Sequence, residues 1–287
     1  MHRAQRCIGP TTQQFMKLKT DTHITAQAIR YLLAFFVIAF GWSWLLWAGA
    51  AHYSTLSPGL AAILHIGATF GPLIATVIVI VATRGLKDLL SWLRCRFRPN
   101  APKRYYVLAF LLPPLLMSIA CLLHVALGGS LREPPVIHHW WKVPLNFMLI
   151  FLFGGPLGEE LGWRGFALPA MQQRIGPWFA SAALGVIWSV WHLPLFFISG
   201  TVQYQLPFWL FVLNAVPLAM LLGWLFNKTG RSIVPVMILH MGINGWAALI
   251  PVLPAGDSIR PFVIATTLLW LAAFSCLSDK QAGYVSQ

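Results

Sequence analysis

The chain has 287 residues, of which 58% are hydrophobic and only 9% charged, whereas soluble domains carry about a quarter charged residues. A water-soluble globular protein is thereby excluded, and a mean hydropathy of +0.70 with apolar runs near the ~20 residues of a bilayer-crossing helix excludes an outer-membrane barrel. Twenty Lys and Arg against seven Asp and Glu give a net charge of +13, which in a soluble protein would point to nucleic acid; here membrane topology accounts for it, and no nucleic-acid partner is expected.

In chain order the apolar segments are 31–51, 60–83, 105–127, 145–170, 177–199, 206–226, 233–253 and 261–277, each reading as one helical crossing. The expected fold is all-α: a polytopic transmembrane helical bundle of about eight spans in the lipid bilayer. With the N-terminus inside, 17 of the 20 basic residues fall on the cytoplasmic side, most densely in 84–104, and only Arg132, Lys142 and Arg260 lie outside. That bias places both termini in the cytoplasm. Residues 1–30 then form a cytoplasmic segment, 31–278 a single transmembrane domain and 279–287 a cytoplasmic tail. The first apolar segment, with small residues Ala48, Gly49 and Ala50 at its end, is expected to be a span rather than a cleaved signal peptide, because some thirty residues precede it and its apolar core exceeds the usual length. Cys7, Cys95, Cys121 and Cys276 show no CxxC pair, so neither a disulfide frame nor a zinc knuckle is expected. Nothing in the sequence bears on oligomeric state.

Function is sought in polar residues where lipid should be, because each costs roughly 2.5–3.5 kcal/mol at a helix centre unless it faces the bundle interior. The fourth segment carries Glu159, Glu160 and Arg164 within an apolar stretch. Residues four apart share a helix face, so Glu160 pairs with Arg164 and Glu159 projects elsewhere, as a general base or acid would. One buried ionic knot of all three is the alternative. Gly154, Gly158 and Gly162 recur every four residues, a stripe that permits close helix approach.

The fifth segment adds Trp188 and His192 and the seventh His240 and Asn244, each pair four apart. Taken singly, such a histidine reads as an interhelical hydrogen-bonding group. At 1.5 Å per residue, however, Glu159, His192, His240 and Asn244 all lie roughly 12–23 Å from the cytoplasmic helix ends, within reach of one cavity. His65, His124 and Asn214 stand alone and read as packing or interhelical groups. The run His138, His139, Trp140, Trp141, Lys142 reads as an interfacial anchor, and Pro113–Pro114 as a kink in the third span.

The order EExxxR (Glu159, Glu160, Arg164), aromatic-xxx-His (Trp188, His192) and HxxxN (His240, Asn244), on three late segments, resembles the CPBP family of intramembrane proteases, which contains the type II CAAX prenyl endopeptidases and bacteriocin-processing or self-immunity proteins. The resemblance covers about 145–248. Phenylalanine is more usual where Trp188 stands, and the tryptophan keeps an aromatic wall. The resemblance implies that Glu159 with His192 activates a water, that His240 and Asn244 stabilise the oxyanion, and that Glu160 with Arg164 orients the fourth span. It implies no cofactor, and a substrate that is a membrane-associated, in one branch prenylated, protein or peptide. The short loops resemble prokaryotic members of a cytoplasmic membrane.

Zinc held by Glu159, His192 and His240 is the alternative chemistry, although no HExxH occurs. The alternative function is a non-proteolytic immunity or peptide-sequestering protein. A proton-coupled transporter would show repeated halves, and none is seen.

Overall fold

A computed structural model describes residues 22–99, 101–133, 137–254 and 258–277. Arg3, Arg6, Cys7, Lys17, Lys19 and Lys280, with most of both expected cytoplasmic termini, lie outside the described residues. Every expected apolar segment is helical. The first is α1 (Thr22–Tyr53). The second is a bent pair, α2 (Pro58–Thr69) and α3 (Gly71–Arg84), meeting at 50°. An amphipathic helix, α4 (Leu86–Arg96), precedes α5 (Lys103–Ala126).

The fourth segment is α6 (Val143–Phe153), α7 (Pro156–Gly162), a wide π turn (Trp163–Ala167) and α8 (Leu168–Ile175). The last four helices among the described residues are α9 (Pro177–Trp191), extended by a 3-10 turn over Leu193–Phe197, then α10 (Phe208–Lys228), α11 (Val234–Ala247) and α12 (Arg260–Ser275). No strand occurs among the described residues. Among the described residues four helices are long and apolar enough to cross a membrane, and the α2–α3 pair makes a fifth when taken as one span. The fourth segment is therefore not the single straight helix of the sequence expectation, and α11 stops six residues short of 253.

Proline accounts for much of how these helices are joined. A proline has no N–H, so the carbonyl four residues before it loses its helical donor. In an apolar environment that oxygen must find another. Pro72 deprives Ala68, whose carbonyl accepts from Ser43 Oγ of α1 at 2.7 Å. Pro114 deprives Phe110, and Trp246 Nε1 of α11 donates to it at 3.2 Å. Pro169 deprives Gly165, which accepts from Arg96 Nε of α4 at 3.1 Å. Pro217 deprives Leu213, which accepts from Trp270 Nε1 of α12 at 2.8 Å. Each proline thus provides a polar joint to another helix, and α5 runs unbroken through Pro113 and Pro114.

The remaining joints are apolar. Phe35 and Trp47 of α1 meet Trp163 of the π turn and Trp191 of α9, with ring centroids 5.4 Å apart for Phe35–Trp163 and 4.6 Å for Trp47–Trp191. All four rings are buried. Gly158 and Gly162 lie against the α2–α3 bend: a Cβ on either would stand 2.6 Å from a backbone oxygen, of Thr69 and Pro72 respectively. Gly154, the third glycine of the stripe, instead contacts its own helix at Ile150.

Two isolated polar residues behave differently from one another. Asn214 Nδ2 bonds Thr266 Oγ1 at 3.0 Å between α10 and α12, whereas His124 reaches the local carbonyl of Ser130 at 3.1 Å. Trp140 and Trp141 are exposed beside the start of α6, and the side chain of His138 lies outside the described residues. Cys95 is disulfide-bonded, contrary to expectation, and Cys121 is a free thiol.

Candidate active site

The site begins where the fourth segment breaks. Gly154 ends α6, Gly155 has φ +108°, a conformation that favours glycine, and Pro156 opens α7, where the first N–H has no intrahelical acceptor anyway. The turn sets Glu159 and Glu160 on a short buried helix. A Cβ on Gly155 would collide with Glu159 Oε1 and lie 3.5 Å from His240 Cε1, so the bare glycine makes room for the carboxylate and the histidine together.

The two glutamates have separate partners. Glu160, fully buried, accepts on Oε1 from Arg164 Nη1 at 2.8 Å and from His240 Nδ1 at 2.7 Å. The expected i,i+4 pair is present, and Glu160 does more than orient its own segment because it also holds a histidine of α11. Glu159, 4% exposed, accepts on Oε2 from Trp188 Nε1 at 2.6 Å. Trp188 was expected only as a wall.

His192 follows the last residue of α9, and its Nδ1 lies 2.8 Å from the Trp188 carbonyl. A carbonyl only accepts, so Nδ1 carries a proton and Nε2 of the neutral ring is left as an acceptor. Asn244 Nδ2 donates at 3.1 Å to the carbonyl of Gly154, which the end of α6 leaves without a helical donor. The amide retains a second N–H.

Glu159, Trp188, His192, His240 and Asn244 line one cavity of about 550 Å³. Glu160 and Arg164 stand behind it: the Arg164 guanidinium lies 4.8 Å from the Trp188 ring centroid. Apolar side chains such as Leu116, Phe153, Phe262 and Leu269 complete much of the cavity wall. His65 and Asn214, expected as packing or interhelical groups, also line the cavity, and Trp47 does so without having been singled out. Trp47 lies 6.3 Å from the His192 ring, and His65 6.3 Å from Trp47; neither has a spaced polar partner on its own helix that marks it. Among the described residues no three His, Cys, Asp or Glu side chains are grouped as metal ligands.

The fold and this cavity describe a helical membrane protein with a sheltered carboxylate–histidine site. The profile of the family "type II CAAX prenyl endopeptidase Rce1-like" matches residues 140–246, which include all seven of the singled-out residues. The "CAAX prenyl protease 2" of Methanococcus maripaludis is 27% identical over 227 residues, covering 75% of this chain and 81% of that protein. Both matches make the chain similar to the CAAX-type intramembrane endopeptidases of the CPBP family.

Proposed function

We propose that the protein hydrolyses a peptide bond of a membrane-associated protein or peptide by a glutamate mechanism. Glu159 and His192 hold a water and Glu159 takes its proton as the oxygen attacks the scissile carbonyl. The oxyanion forms beside His240 and Asn244. Glu159 then returns the proton to the departing amine as the C–N bond breaks. The observation that carries this reading is the convergence of Glu159, His192, His240 and Asn244 on one cavity. With Nδ1–H of His240 directed at Glu160, donation from Nε2 to an oxyanion requires a doubly protonated ring, whose charge the Glu160 carboxylate offsets.

The apolar remainder of the cavity suits an apolar residue or an isoprenoid chain near the scissile bond, and the archaeal relative is named as a prenyl protease. The basic loop 84–104 supports a cytoplasmic side for that loop and, in a bundle of eight crossings, for both termini; the short loops favour a prokaryotic membrane.

The test compares membrane-peptide termini by mass spectrometry in cells expressing wild type and Glu159→Gln at equal levels. New termini with wild type alone are expected. Identical profiles, with the variant still supporting the cellular phenotype, would turn the assignment to peptide sequestration.

A further inference from the structure

Trp188 touches both halves of the site. Its indole N–H donates to Glu159 Oε2 at 2.6 Å and its backbone carbonyl holds His192 Nδ1 at 2.8 Å. Its ring lies under the Arg164 guanidinium and edge-on to the rings of His192 and His240, with centroids 5.3 and 5.4 Å away. At 4% exposure, the bond to Glu159 faces little competition from water, and a hydrogen bond to a charged acceptor is among the stronger ones.

A glutamate carboxylate has two equivalent oxygens and a broad terminal torsion. A base left free to rotate spends much of its time with neither oxygen aimed at the water. Tying Oε2 to Trp188 leaves Oε1 beside Gly155, with His240 Cε1 close to the same glycine. Phenylalanine, more usual in the family at this position, offers a wall without an N–H, so this role belongs to the tryptophan of this chain.

We propose that Trp188 is a positioning residue for peptide hydrolysis: its indole N–H fixes Glu159 Oε2 so that Oε1 is the oxygen that exchanges the proton. On attack, the water O–H bond breaks, its oxygen bonds to the scissile carbon and the proton moves to Oε1. As the C–N bond breaks, that proton passes to the amine nitrogen. The inference rests on Glu159 being the general base.

The experiment uses the full chain in lipid nanodiscs and a quenched peptide built on a cleavage site found from the wild-type termini. Trp188 is replaced by 3-benzothienylalanine, which keeps the shape and exchanges N–H for sulfur, and by phenylalanine. Both replacements are expected to lower kcat about 10- to 100-fold with KM within about twofold, the effect of a base that loses its orientation while substrate binding is unchanged. A benzothienyl variant within twofold of wild-type kcat, beside an inactive Glu159→Gln, overturns the positioning role and leaves the base assignment standing. An active Glu159→Gln, or a wild type that generates no termini, overturns both. A readout free of turnover is the ¹⁵N-indole resonance of Trp188, assigned by its loss in Trp188→Phe. It is expected to shift in Glu159→Gln, and an unmoved resonance counts against the bond.

Discussion

The fourth segment and α10 have comparable length and both contain proline, yet they fold in opposite ways. α10 contains Pro217 and runs unbroken for 21 residues, because the single carbonyl that the proline orphans is taken by Trp270. The fourth segment has two glycines before Pro156, and there the chain stops, turns at Gly155 and restarts. One missing N–H can be replaced from a neighbouring helix. A glycine with positive φ redirects the backbone, exposing a carbonyl for Asn244 and aiming Glu159 into a cavity.

Substitutions at these features sharpen that contrast. The largest effect belongs to the restarted helix: Glu159→Gln, nearly isosteric, is expected to lower kcat about 10²- to 10⁴-fold in a peptide-cleavage assay with the fold intact. Arg164→Ala leaves Glu160 buried without its arginine. A loss of about 3–5 kcal/mol is expected in unfolding from detergent.

Asn244→Ala removes both a joint to the Gly154 carbonyl and the proposed oxyanion donor, so a kcat loss of about 10²- to 10³-fold is expected. Unchanged kcat with lowered stability would leave it the joint alone. Gly162→Ala forces a Cβ toward the Pro72 backbone and is expected to cost about 1–3 kcal/mol of stability as overpacking. The smallest effect lies in α10. Trp270→Phe orphans the Leu213 carbonyl, for about 1 kcal/mol. Pro217→Ala restores the backbone donor, so in that background Trp270→Phe should cost measurably less. Additive losses would refute the proline-joint explanation.

The Glu160–Arg164 pair was legible in the sequence because four residues on a helix share a face, a purely local rule. The positions of the apolar segments were legible for a similar reason, since a bilayer demands length and hydropathy of each segment by itself, whereas the break in the fourth and the early end of α11 were not. The His240–Glu160 and Trp188–Glu159 bonds were not. Each joins residues 80 or 29 positions apart, and helical periodicity does not state which helix a face meets. The sequence reading gave Trp188 a wall's role because an aromatic motif position carries no instruction about where an indole N–H points. Trp47 was not singled out, and His65 was read only as a packing or interhelical group, because a cavity is defined by what several helices leave between them.

The sequence by itself determined an all-helical membrane protein, the positions of its apolar segments and the set of polar residues too costly to place in lipid without a purpose. These are properties of one segment against its solvent. The tertiary structure decided which glutamate is tied to the arginine and histidine and which to the tryptophan. It also decided which carbonyls, freed by proline or by a break, are taken up by which neighbour. Those choices depend on the directions in which packed helices present their donors, and direction is settled only when the helices meet.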